Sequence, residues 1–66
     1  MRGTVKRHLA EKGFGFISDD KGVEYFFHHT ACQRGEFNTL QEGDKVEFTV
    51  AESSKGPRAE EVRRAQ

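Results

Sequence analysis

Phe14 and Phe16 stand two residues apart, and Phe26 and His28 repeat that spacing ten residues beyond Phe16. In an extended strand, side chains two apart share a face, so each pair presents two rings side by side. The opposite face of the first pair carries Gly15 and Ile17, neither of which is polar. One apolar face must therefore remain in water, and the small-aliphatic face is the easier one to bury. Flat rings left open on a sheet do one kind of chemistry well, the stacking of planar groups such as unpaired nucleobases. Reaction chemistry has no comparable support. His28, His29 and Cys32 lie close in sequence, but neighbouring histidines on a strand point to opposite sides, and no second cysteine completes a metal-ligand spacing. Cys32 also lacks a readable base and orienting partner for nucleophilic work. The chain is read as a binding protein, not an enzyme, with no metal and no cofactor.

The elements that must position these rings are short strands. Five segments are predicted, over 3–9, 14–18, 23–29, 45–52 and 58–64, separated by turns rich in glycine, aspartate and lysine. The fourth alternates, with Val46, Phe48 and Val50 to one side and Lys45, Glu47 and Thr49 to the other. Tyr25 and Phe27 face away from Phe26 and His28 and are assigned to the core. Asp19, Asp20, Glu60 and Glu61 read as solvated turn and edge charges. Residues 30–43 form the longest connection and hold Phe37 and Leu40. The segment 59–65 would also suit a helical turn. Frequent turns and short strands favour an all-β architecture, and a five-stranded antiparallel barrel removes the edges that free strands would expose.

Sixty-six residues make one domain, spanning 1–66, near the lower limit for a core without staples. The single cysteine excludes an internal disulfide, and no apolar run reaches membrane-spanning length or resembles a leader, so a cytoplasmic location is expected. Eleven basic and eleven acidic side chains balance. The first 35 residues hold six basic against four acidic groups, and the remainder five against seven. The basic excess thus coincides with the aromatic segments, but it is too small for phosphate neutralisation to dominate affinity.

The runs Val5-Lys6, Lys12-Gly13-Phe14-Gly15-Phe16-Ile17, Phe26-Phe27-His28-His29-Thr30-Ala31, Gly35-Glu36-Phe37, Leu40-Gln41-Glu42-Gly43, Val46-Glu47-Phe48 and Lys55-Gly56-Pro57 together resemble the bacterial cold-shock domain. The likeness extends from Thr4 to Val62. It implies a five-stranded barrel of the oligonucleotide-binding fold that binds single-stranded RNA or DNA, with pyrimidine-rich tracts favoured. By position, Phe14, Phe16, Phe26, His28 and Phe37 fall where the family stacks bases, and Lys6 and Lys12 where it meets the backbone or base edges. Lys55 and Arg58 flank a loop lining the same groove.

This chain also departs from the family's pattern. Arg7, His8 and Leu9 stand where Trp-Phe-Asn is usual, and His29 where phenylalanine is common. A guanidinium can lie flat on a base and an imidazole can stack, so Arg7, His8 and His29 stay among the candidate binding residues. Stacking contributes ~1–3 kcal/mol per base, so the lost rings imply weaker binding than a full aromatic set gives, partly offset by the charge of Arg7. The expected function is that of an RNA chaperone-like binder of unpaired strands. The alternative is a small barrel whose aromatic face binds protein or closes a dimer. A monomer is expected, and strand exchange through 30–43 is the route to a dimer.

Overall fold

The computed structural model describes residues 1–32, 36–54 and 56–65. Five strands form a closed barrel: β1 (Arg2–Leu9), β2 (Phe14–Ser18), β3 (Glu24–His28), β4 (Lys45–Ser53) and β5 (Gly56–Arg64). They run around the barrel in the order β1-β2-β3-β5-β4, with β4 returning to β1. Each neighbouring pair is antiparallel except β3 and β5, which meet in parallel at Phe26 and Arg58. Residues 59–65 thus give strand, not helix, through Arg64, because both ends of β5 pair with β4. Pro57 is the second residue of β5. Among the described residues, the connection after β3 contains a 3₁₀ turn at His29–Ala31 and a short helix, α1 (Glu36–Thr39). Among the described residues no helix is long and apolar enough to cross a membrane.

Alternation fills the interior from every strand. Val5, Ile17, Tyr25, Phe27, Val46 and Phe48 point inward with Ala59 and Val62, and Phe37 and Leu40 from the long connection join the same core. Val50 is a correction to the simple pattern, being 37% exposed. β4 has no buried residue after Phe48, so the outer part of the β4–β5 hairpin extends past the core and nothing covers Val50.

Two bulges break the regular pairing. Val5 lies opposite Ile17 and Arg7 opposite Phe16, so Lys6 has no counterpart on β2. On β5, Glu61 and Val62 together span what Phe48 spans alone on β4, and Glu61 takes a left-handed φ of 51°. An extra residue on one strand of a pair bends it and increases its twist, which a small barrel needs in order to close.

Asp19 is the second correction. It is buried, not a solvated turn charge. Its carboxylate accepts hydrogen bonds from the Lys21 and Val23 amides and from the Tyr25 hydroxyl, all at 2.9 Å. Burial works to raise its pKa, but these three hydrogen bonds and the Lys21 charge outweigh that and hold the carboxyl below its ordinary value. The same bond raises the Tyr25 hydroxyl above its ordinary value, because the phenol donates to a carboxylate. The turn thereby fixes the exit of β2 and the entry of β3, the two strands that carry the aromatic pairs.

Candidate nucleic-acid interface

Register between β2 and β3 sets Phe14 opposite His28 and Phe16 opposite Phe26. Directly paired residues share a face, so the two sequence pairs merge into one cluster. Ring centroids lie 5.4 Å apart for Phe14 and Phe26, 5.9 Å for Phe16 and Phe26, and 6.1 Å for Phe14 and Phe16. All three rings are half-buried, largely by one another, while Ile17 and Phe27 on the reverse face are fully buried. Gly15 makes the two layers compatible. An added Cβ there would stand 2.8 Å from the Phe27 ring and 2.4 Å from the Arg7 carbonyl oxygen. Only a residue without a side chain lets Phe27 slide beneath the outward rings.

The bulge at Lys6 decides what borders this cluster on β1. Beyond it, Arg7 pairs with Phe16, His8 with Gly15 and Leu9 with Phe14. Arg7 and Leu9 therefore share the outward face, and a row runs Arg7–Phe16–Phe26–Arg58 across four strands. On the far side the β4–β5 hairpin rises to form a groove of about 500 Å³, lined by Phe16, Phe26, Ser53, Ser54, Pro57 and Arg58. Lys55 lies outside the described residues.

The remaining candidates divide. His28 sits on the face, and its Nδ1 accepts from the Thr30 amide at 3.4 Å and lies 3.0 Å from the Thr30 hydroxyl. His29 is exposed and packs over Gly13, whose φ of +79° favours glycine and where an added Cβ would stand 2.9 Å from the imidazole. His8 belongs to the inward row. Its Nε2 lies 2.7 Å from the Phe37 carbonyl oxygen and so must donate, and the two rings are 4.6 Å apart. Phe37 is the third correction: it is 5% exposed and packs against Phe27, His8 and His29 in the core. Its ring presents no open face, because α1 folds it under the two histidines.

Charge is less free than the sequence implies. Lys6 is held by Glu24 at 3.0 Å, and Arg58 by Glu60 at 3.6 Å with its Nε enclosed. Arg7 and Lys12 are exposed, and their side chains have no polar partner among the described residues. Sequence reasoning missed Leu9 on the outward face, the groove-lining Ser53 and Ser54, and the acidic partners Glu24 and Glu60. Only the β1 bulge, which strict alternation cannot foresee, reveals the place of Leu9.

A model of the 'Cold-shock' DNA-binding domain matches residues 1–65. The chain belongs to the cold-shock domain family. A cold shock-like protein of Aquifex aeolicus is 52% identical over 64 residues, covering 96% of this chain and 91% of the relative. A major cold shock protein of Streptococcus pyogenes serotype M1 is 53% identical over 58 residues, covering 88% and 87%. A probable cold shock protein A of Mycolicibacterium smegmatis is 52% identical over 63 residues, covering 94% of both. At the level of the family, this membership supports binding of nucleic acid, consistent with the all-β closed barrel.

Proposed function

We propose that this cold-shock domain binds unpaired RNA or DNA by stacking bases on Phe14, Phe16 and Phe26, and acts as an RNA chaperone. The observation that carries this reading is the contact triangle of three half-exposed phenylalanines above a filled core. His28 extends the platform along its row, and His29 adds a ring at its end. Lys12 and Arg7 supply free positive charge at the β1–β2 side, and the hairpin groove continues the path past Arg58. Binding the unpaired state alone shifts a hairpin equilibrium by mass action and needs no ATP. A ring accepts any base, so broad tolerance is expected, with pyrimidine-rich tracts as the family-level preference.

The test is the double variant Phe16→Ala, Phe26→Ala, titrated with a labelled oligonucleotide and checked by circular dichroism. Removing two stacking platforms at ~1–3 kcal/mol each predicts at least about a thirtyfold loss of affinity. Unchanged affinity in a folded variant refutes the proposal.

A further inference from the structure

The row Arg7–Phe16–Phe26–Arg58 is symmetrical in residue type but not in availability. Arg58 is committed to Glu60. Arg7 is exposed, and no ion pair, hydrogen bond or ring contact engages it among the described residues. Its placement depends on one bulge. Were β1 regular, Arg7 would share the inward face of Val5; the extra residue Lys6 turns it outward beside Phe16.

We propose that Arg7 reads the edge of the base stacked on Phe16 and makes this position favour guanine, an inference that rests on the stacking reading above. Adjacent strands lie about 4.8 Å apart, so a base centred on Phe16 overhangs β1, where Arg7 stands on the same face. A guanidinium presents a planar fork of donors and no acceptor. It matches an edge that sets two acceptors side by side, as guanine does with O6 and N7. Adenine places a donor next to N7. Uracil and thymine separate O2 and O4 by an N–H donor. Cytosine offers O2 and N3 and ranks second. A phosphate clamp would make a different demand, since lysine fills that role as well as arginine.

Fluorescence anisotropy with an oligothymidine of about seven nucleotides, and with the same strand carrying one guanine, cytosine or adenine, separates the two roles. The native chain is expected to bind the guanine strand about fivefold to tenfold more tightly than the all-thymine strand, with cytosine between them. Arg7→Lys keeps the charge but loses the planar fork of donors, and should erase the guanine gain, so that the guanine and all-thymine strands then bind the variant within about twofold of each other. Equal affinity for all four strands in the native chain, or a guanine gain that survives Arg7→Lys, overturns the proposal. The stacking reading fails separately, if all-thymine binding is insensitive to loss of Phe16 and Phe26.

Discussion

Replacing Gly15 by alanine tests the packing on which the binding face stands. The new Cβ would lie 2.4 Å from the Arg7 carbonyl oxygen, and 2.8 and 2.9 Å from two carbons of the Phe27 ring. Carbon atoms pack comfortably at about 3.5–4.0 Å, so the ring must retreat into a core it already fills. The β1–β2 ladder must also part at Arg7 and Phe16. Overpacking costs about 1–3 kcal/mol and occasionally more, and two simultaneous clashes, one with backbone, place this variant at or above 3 kcal/mol. A core in a chain this short supplies roughly 3–5 kcal/mol in all, so Gly15→Ala should be largely unfolded at room temperature. Gly22→Ala is the comparison. There a Cβ meets nothing within 4 Å, and only the φ of +85° opposes it, a strain of about 1–2 kcal/mol. Urea unfolding followed by far-ultraviolet circular dichroism should give a midpoint for Gly15→Ala well below that of Gly22→Ala. Adding Phe27→Leu should recover only part of the loss, because the Arg7 carbonyl stays in place. A native midpoint for Gly15→Ala would refute the account of Phe27 lying under the outward rings.

Three further outcomes are expected. Glu24→Gln releases Lys6, which should steepen the log–log salt dependence of binding by about 0.7 for one added phosphate contact. It should change stability by less than about 1 kcal/mol, and an unaltered salt slope would place Lys6 away from the strand. Burial, with the Glu36 charge adding to it, pushes the Cys32 thiol up to about 11. At pH 8 a disulfide reagent should therefore label the native chain about a hundredfold more slowly than the urea-unfolded chain, and equal rates would count against its burial. The Asp19 carboxyl is held down in the fold, so its stabilisation is present at neutral pH and drains away as pH falls through its depressed folded value, below 3.8. Melting temperature against pH should show that acid limb flattened in Asp19→Asn; an identical profile would remove Asp19 from the stability of the turn.

The residues that could be read from sequence were those whose face follows from strict alternation. Phe14 and Phe16 opposite Gly15 and Ile17, and Tyr25 and Phe27 opposite Phe26 and His28, needed only a period of two. Phe37, Asp19 and Val50 obeyed other rules. Phe37 lies in a connection with no period, and its burial follows from α1 and from His8 and His29 closing over it. Asp19 accepts two hydrogen bonds from amides of the turn and one from the Tyr25 hydroxyl of β3, a geometry no composition reveals. Val50 keeps its alternation but loses its cover, because the hairpin outruns the core. The pairings of Lys6 with Glu24 and Arg58 with Glu60 were likewise invisible, since charge counts do not say which cations are spent.

That last point explains how a chain with no net charge can be suited to a polyanion. Ion pairs at Arg2–Glu47, Lys6–Glu24, Arg58–Glu60 and Arg64–Asp44 neutralise cations around the barrel, and such exposed pairs contribute little to stability. Among the described residues Arg7, Lys12, Lys21, Lys45 and Arg63 have no acidic ion-pair partner, and of these Arg7 and Lys12 flank the aromatic cluster at its β1–β2 side. Some positive charge therefore stands unpaired beside the rings, although the sum is zero. With a net charge of zero, counterion release adds little to affinity, and the proposed reading assigns most of it to base stacking. A moderate, stacking-led affinity would also allow the rapid release that the proposed capture of transiently unpaired strands requires.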